Sequence, residues 1–232
     1  ICFAFLPGHD ITSFVDEIEI MERIVSLVGR GRIECLLADR EFGNGNFIKW
    51  LQLNHIRYCL RLRENLYMRK DGDKNGRKLR DVLSSLRVGD SVVLNGVWIV
   101  RKNVRVRIYA TRRIGRGGEE SLIILASPVE CDYTETLYRK RWTLETAFRG
   151  LKSAGFNMED THLNEMRFEN MLTLLMIAFA AAFIEGLIKI QTLPIPMIKN
   201  KQVQRISIFR YGMVNLLHDF WTNVKNQSSI SP

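Results

Sequence analysis

Apolar residues recur along this chain with two different periods. Phe14, Ile18, Met21, Ile24, Val25 and Val28 fall at helical spacing and Gly29 follows as a stop, which predicts a helix over Ser13–Val28. Ile1–Leu6, Ile33–Ala38 and Arg57–Arg63 are short apolar runs of the kind that form buried strands, and Asn46–Leu53 reads as a helix between two of them. This alternation is an α/β pattern. From about Leu66 to Ala126 the period shortens to two. SVVL, VWIV, VRVRIYATRR and SLIILA alternate or are rich in β-branched residues, and Asp71-Gly72, Asn95-Gly96 and Gly115 through Gly118 separate them as turn signals. Lys78–Leu86 is the one short helix expected there. Helical spacing returns over Asp132–Ser153, Asn164–Ile190 and Gln202–Trp221, with Leu193-Pro-Ile-Pro196 as a connector. Met171–Ile184 carries no charge, but its 14 residues fall short of the roughly 20 that span a bilayer. It reads as a helix buried in a soluble core.

Charge changes the picture in one place. The chain has 232 residues and a net charge of +9. Arg57–Arg116 holds 17 Lys/Arg against 5 Asp/Glu, or +12, and the rest nets −3. So local a surplus suits either a polyanion partner, whose phosphates release counterions on binding, or a solvated basic face. The cysteines (Cys2, Cys35, Cys59 and Cys131) lie far apart without metal-ligand spacing, which argues against a zinc site and for a reducing, cytosolic compartment. No secretion signal is visible at Ile1.

Candidate chemistry gathers in Tyr138–Lys152. Tyr138, Arg141, Glu145 and Lys152 stand at offsets 0, 3, 7 and 14, which at about 100° per residue puts them within roughly 60° on one helix face. Leu137, Leu144, Ala147, Phe148 and Leu151 form a neighbouring stripe for packing. A carboxylate among cations and a phenol could bind a metal beside a phosphate; equally, Arg141 and Glu145 could be an ordinary i, i+4 surface pair. Asp39 closes a buried strand and precedes a glycine-bearing turn. Ligand sites of open α/β sheets lie at such carboxyl ends, but an aspartate there can also cap the next helix.

Tyr-x2-Arg-x3-Glu-x6-Lys is matched in full, and its surroundings, RWTLETAFRGLKSAGFNMEDTHL, resemble the segment around the catalytic glutamate of DDE transposases of the insertion-sequence-four family. Leu36-Leu-Ala-Asp-Arg-Glu-Phe42 resembles that family's strand ending in its second catalytic aspartate. The resemblance implies an α/β fold, a ribonuclease-H-like core with a β-rich insertion between the second catalytic Asp and the helix of the catalytic Glu. The expected divisions are 1–63 as a partial core, 64–127 as the basic insertion and return strand, 128–225 as the helical part and 226–232 as a disordered tail. It also implies cut-and-paste transposition by DNA strand cleavage and transfer. Asp39 and Glu145 would be ligands of two Mg2+ ions, for which Mn2+ can substitute. Tyr138, Arg141 and Lys152 would grip the DNA backbone, and Arg101, Lys102, Arg105 and Arg107 would lie along transposon-end DNA. Trp142 is expected in packing, and His162 is left without a role. The partners implied are transposon-end and target DNA and a second copy of the chain, in the cytoplasm of a bacterial-type cell, at the nucleoid. The family's first aspartate has no match, since Asp10 falls in a loop and Asp16 inside a helix. The chain is therefore expected to be N-terminally truncated and inactive alone. The rival readings are a relic that only binds DNA, another ribonuclease-H-like nuclease and, remotely, a small membrane protein.

Overall fold

The computed structural model describes residues 14–100, 102–115, 117–132, 134–141, 145, 163–195 and 206–228. The strand expected at Ile1–Leu6, together with Asp10, Arg101, Trp142, Lys152 and His162, lies outside them. The chain divides into two compact units, one up to Arg141 and one from Trp142 onward.

The first unit is mixed α/β around a seven-stranded sheet. Helix α1 (Phe14–Val28) leads through a 3-10 turn at Arg30–Arg32 into strand β1 (Leu36–Ala38), then through a second turn at Arg40–Phe42 into helix α2 (Gly45–Leu53) and strand β2 (Tyr58–Arg61). Strands β3 (Tyr67–Arg69) and β4 (Arg77–Lys78), helix α3 (Leu79–Val82), strands β5 (Ser91–Ile99), β6 (Val104–Ile114) and β7 (Glu120–Ser127), and helix α4 (Thr134–Arg139) follow. The spatial order is β1-β2-β7-β6-β5-β3-β4. Among the described strands only β1 and β2 run parallel, and the other neighbouring pairs are antiparallel. The basic, β-rich stretch is thus continuous with the first strands, because β7 returns to pair Ala126 with Leu60.

Period-2 alternation decides which helix covers which face. Tyr58 receives a 2.9 Å hydrogen bond from Gln52 of α2, whereas its neighbour Cys59 donates at 3.3 Å to the Thr134 carbonyl of α4. These two helices therefore lie on opposite faces. On the α2 side, Phe47, Ile48, Leu51, Leu60, Val106, Ile108 and Ile124 are wholly buried, each such apolar side chain being worth about 1.5–3 kcal/mol. Met21 of α1 joins the same core.

Asn95-Gly96 is not a turn. It lies inside β5, where the register with β6 shifts between Leu94 and Val97. Gly96 has φ +65° and the Arg105 guanidinium packs against it, so a bulge replaces the break that the dipeptide suggested. Asp71-Gly72 and Gly115 through Gly118 do form connections, between β3 and β4 and between β6 and β7.

The second unit contributes a helical pair, α5 (Glu165–Thr192) and α6 (Ile208–Ser228). Asn164 caps α5 by accepting from the Arg167 N–H at 3.1 Å. Phe179 stacks on Phe209 at 4.6 Å and lies 6.2 Å from Phe183. Side chains at Gly186 and Gly212 would strike the facing helix, so small residues set the close approach. The last helix runs three residues into the segment expected to be a tail. The core helix expected at Met171–Ile184 is longer and barer than that run implied. It is long and apolar enough to cross a membrane by length and composition, and only 17% of its apolar window is buried. Among the described residues α6 packs on one stripe of it, and Leu174, Ile177, Ile184 and Ile188 are exposed.

Candidate active site

Parallel pairing of β1 with β2 sets Leu36, Leu37 and Ala38 beside Tyr58, Cys59 and Leu60. One step further along each strand stand Asp39 and Arg61. Their side chains approach to 3.9 Å, the arginine more covered than the aspartate. Asp39 also caps the next turn, its Oδ1 accepting from the Arg40 N–H at 2.7 Å. It thus takes the capping role that the sequence left open, and stands at the strand end as well. Gly43 closes this loop onto β2, where any Cβ would collide with the Arg61 carbonyl.

Helix α4 brings the second group. Buried Thr134 and Ser127 share a 2.8 Å hydroxyl contact that ties the helix start to the end of β7. One residue on, Glu135 receives Tyr109 Oη at 2.5 Å, Arg113 at 2.5 Å and Arg139 at 2.7 Å. The Tyr109 hydrogen bond first, then those from Arg139 and Arg113, hold its carboxyl down at about 2 against an ordinary 4.5. One turn later comes Tyr138. Burial raises its phenol above the ordinary value, the negative Asp39 adds to that, and Arg141 and Arg61 pull the other way. The Arg141 guanidinium lies 5.3 Å from the Tyr138 ring centre. The Tyr138 hydroxyl is buried and has no hydrogen-bond partner among the described residues. Buried hydroxyls are normally satisfied, so this one suits an incoming acceptor.

The structure thus gathers Asp39, Tyr138 and Arg141, which the sequence singled out, and adds Arg61, which it did not. The missed signal was register: two parallel strands paired Ala38 to Leu60 must place Arg61 beside Asp39. The unbroken helix expected over Asp132–Ser153 is not found. Helix α4 ends at Arg139, and the Lys140 and Arg141 amides bond three residues back, to Leu137 and Tyr138, in tighter turns. A constant 100° rotation therefore does not carry from Tyr138 to Glu145. Glu145 is helical and exposed, and belongs to the second unit. Arg101 and Lys152 lie outside the described residues.

Of the other expected DNA contacts, Arg105 pairs with Asp71 at 2.8 Å and lies over Trp98, while Arg107 is largely covered and pairs with Asp132 at 3.1 Å. Lys102 is exposed. Another missed residue is Glu17, on the buried stripe of α1. Burial pushes its carboxyl up to about 7, and Asn44 donates to it at 2.6 Å. Its place four residues before Met21, in register with the apolar stripe, was the available clue. Cys35, Cys59 and Cys131 are free thiols. Among the described residues no group of three His, Cys, Asp or Glu is placed to hold a metal ion, and Asp39 alone does not make a divalent site.

A carboxylate, two guanidinium groups and a phenol at one strand end of a mixed sheet make a place where a phosphodiester can be held. The family of transposase DDE domains matches residues 8–181, and the chain belongs to it. DNA is the partner that this family implies, and its members use divalent metal ions. No curated protein matches the chain.

Proposed function

We propose that this chain serves DNA strand cleavage and transfer in cut-and-paste transposition, as a member of the insertion-sequence-four group with a ribonuclease-H-like core. The observation that carries the reading is the convergence of Asp39, Arg61, Tyr138 and Arg141 at the ends of β1 and β2. Arg61, Arg141 and the Tyr138 hydroxyl would hold the oxygens of a backbone phosphate. Lys152 would extend that grip, and Arg101, Lys102, Arg105 and Arg107 would meet flanking DNA. Asp39 and Glu145 are the proposed ligands of Mg2+. Bound there, the ion would supply Lewis-acid stabilisation of charge on phosphate and leaving oxygen. A homodimer on paired ends, in a bacterial-type cytoplasm, completes the reading. With two of the three family carboxylates matched, these 232 residues alone are proposed not to cleave.

A plasmid assay tests this. Supercoiled DNA should be bound but not nicked with Mg2+ or Mn2+, and the Arg61→Ala, Arg141→Ala double variant should bind at least tenfold more weakly. Unchanged affinity in that variant removes the phosphate-holding role. Glu145-dependent nicking by the chain alone removes the claim of inactivity.

A further inference from the structure

Two hollows open on the first unit, of about 470 and 660 Å³. Both are walled by Arg40, Glu41, Arg63 and Asn65, so they adjoin, and the smaller also takes in Arg61, the partner of Asp39. Together they face Arg40, Arg61, Arg63, Lys78, Arg80 and Lys102. Against these six cations stand the carboxyls Glu17, Glu41 and Glu64. The larger hollow also presents two partly exposed aromatic rings, Phe14 at 42% and Tyr67 at 38%. The Lys78 ammonium lies 5.7 Å from the Tyr67 ring centre. Gly45 allows Lys102 to close over this wall, since a Cβ there would come within 2.8 Å of the Lys102 chain.

We infer that the two hollows form one trough that binds a few nucleotides of single-stranded DNA beside Asp39. Its ingredients are those of sequence-tolerant strand binding, in which cations follow the phosphates and aromatic faces stack on bases. Each hollow has the size that takes a small-molecule ligand, a nucleotide or two. The exposed Arg63–Glu41 pair, at 2.7 Å, is weak enough to be exchanged for a phosphate. Of the described cations expected to lie along DNA, Lys102 is the one that lines this trough. The inference rests on the DNA reading above and adds which form of DNA is held, and where.

Anisotropy of a labelled ten-nucleotide oligothymidine, and of the same strand in duplex with oligoadenosine, tests it on the whole 232-residue chain. Tyr67→Ala should weaken single-strand binding about tenfold, the usual scale for one lost stacking platform, and Tyr67→Phe should restore it. The Lys78→Ala, Lys102→Ala double variant should lower the single-strand log–log salt slope by about 1.4, at about 0.7 per phosphate contact. Arg23→Ala, which removes an exposed charge on α1 paired with Glu19, should change neither. Circular dichroism checks that each variant is folded. If folded Tyr67→Ala and the double variant bind the oligonucleotide as the parent does while the duplex still binds, the trough is wrong and the DNA reading survives. If the parent binds neither form, both are lost.

Discussion

In the sheet unit, Leu60, Ile108 and Ile124 are buried completely, and a cluster of twenty buried apolar residues runs under α1 and α2. Among the described residues of the helical pair, the buried cluster is Phe179, Ala182 and Phe209. The two regions meet the same entropy cost of folding with different means. The sheet relies on area: strands far apart in sequence stack side chains from both ends of the chain segment. The helices rely on proximity, through glycines that let two backbones approach and three aromatic rings that interlock. The candidate site clusters on the sheet unit, where the Ser127–Thr134 and Tyr109–Glu135 bonds tie α4 to β7 and β6. A region with ample buried area can hold an underbonded phenol and a half-exposed aspartate in place.

Three substitutions sharpen or break this comparison. Ile108→Ala should cost about 2–5 kcal/mol, the range for removing a buried branched side chain. Hydrogen exchange should show protection falling across 104–114 and 120–127 while 165–192 is unchanged. Equal loss in both regions would mean that they do not fold as separate units. Gly212→Leu should cost about 1–3 kcal/mol by overpacking the helical pair, read as faster exchange confined to 165–192 and 208–228. No effect would show that close approach is not what holds those helices.

Glu135→Gln is the smallest change, at about 1–2 kcal/mol near pH 7 after allowance for its 30% exposure. Its sign with pH is definite. The folded carboxyl is held near 2 and the unfolded one near 4.5. The native state therefore binds fewer protons between those values, and the stabilisation is present above the unfolded value. It is lost as pH falls through the folded one. Parent and variant should thus differ most above pH 5 and converge toward pH 2 in denaturant melts. A constant gap across that range would mean that the Tyr109, Arg113 and Arg139 contacts act without the carboxylate's charge.

Much of this fold could be read from local pattern. The helix over 14–28, the strand before Asp39, the helix over 45–53 and the alternating strands of 91–127 all follow from side-chain spacing, which is a property of neighbouring residues. Asp39 and Tyr138 stood out for the same reason, a strand end and a helical motif. Spacing misled at Asn95-Gly96, because a left-handed residue serves a bulge as well as a turn, and beyond Arg139, because nothing in an apolar period marks where a helix tightens into a turn.

What the sequence by itself determined was the set of elements and two groups of candidate residues, since hydrophobic period and backbone preference act over a few residues. Only the tertiary structure decided that β7 returns to β2 and that α4 lies across their far face. Those contacts join residues 66 positions apart at Leu60 and Ala126, and their free energy depends on what each segment buries against the other. For that reason Arg61 beside Asp39, the Glu135 clamp beneath Tyr138 and the trough leading away from both are properties of the folded chain alone.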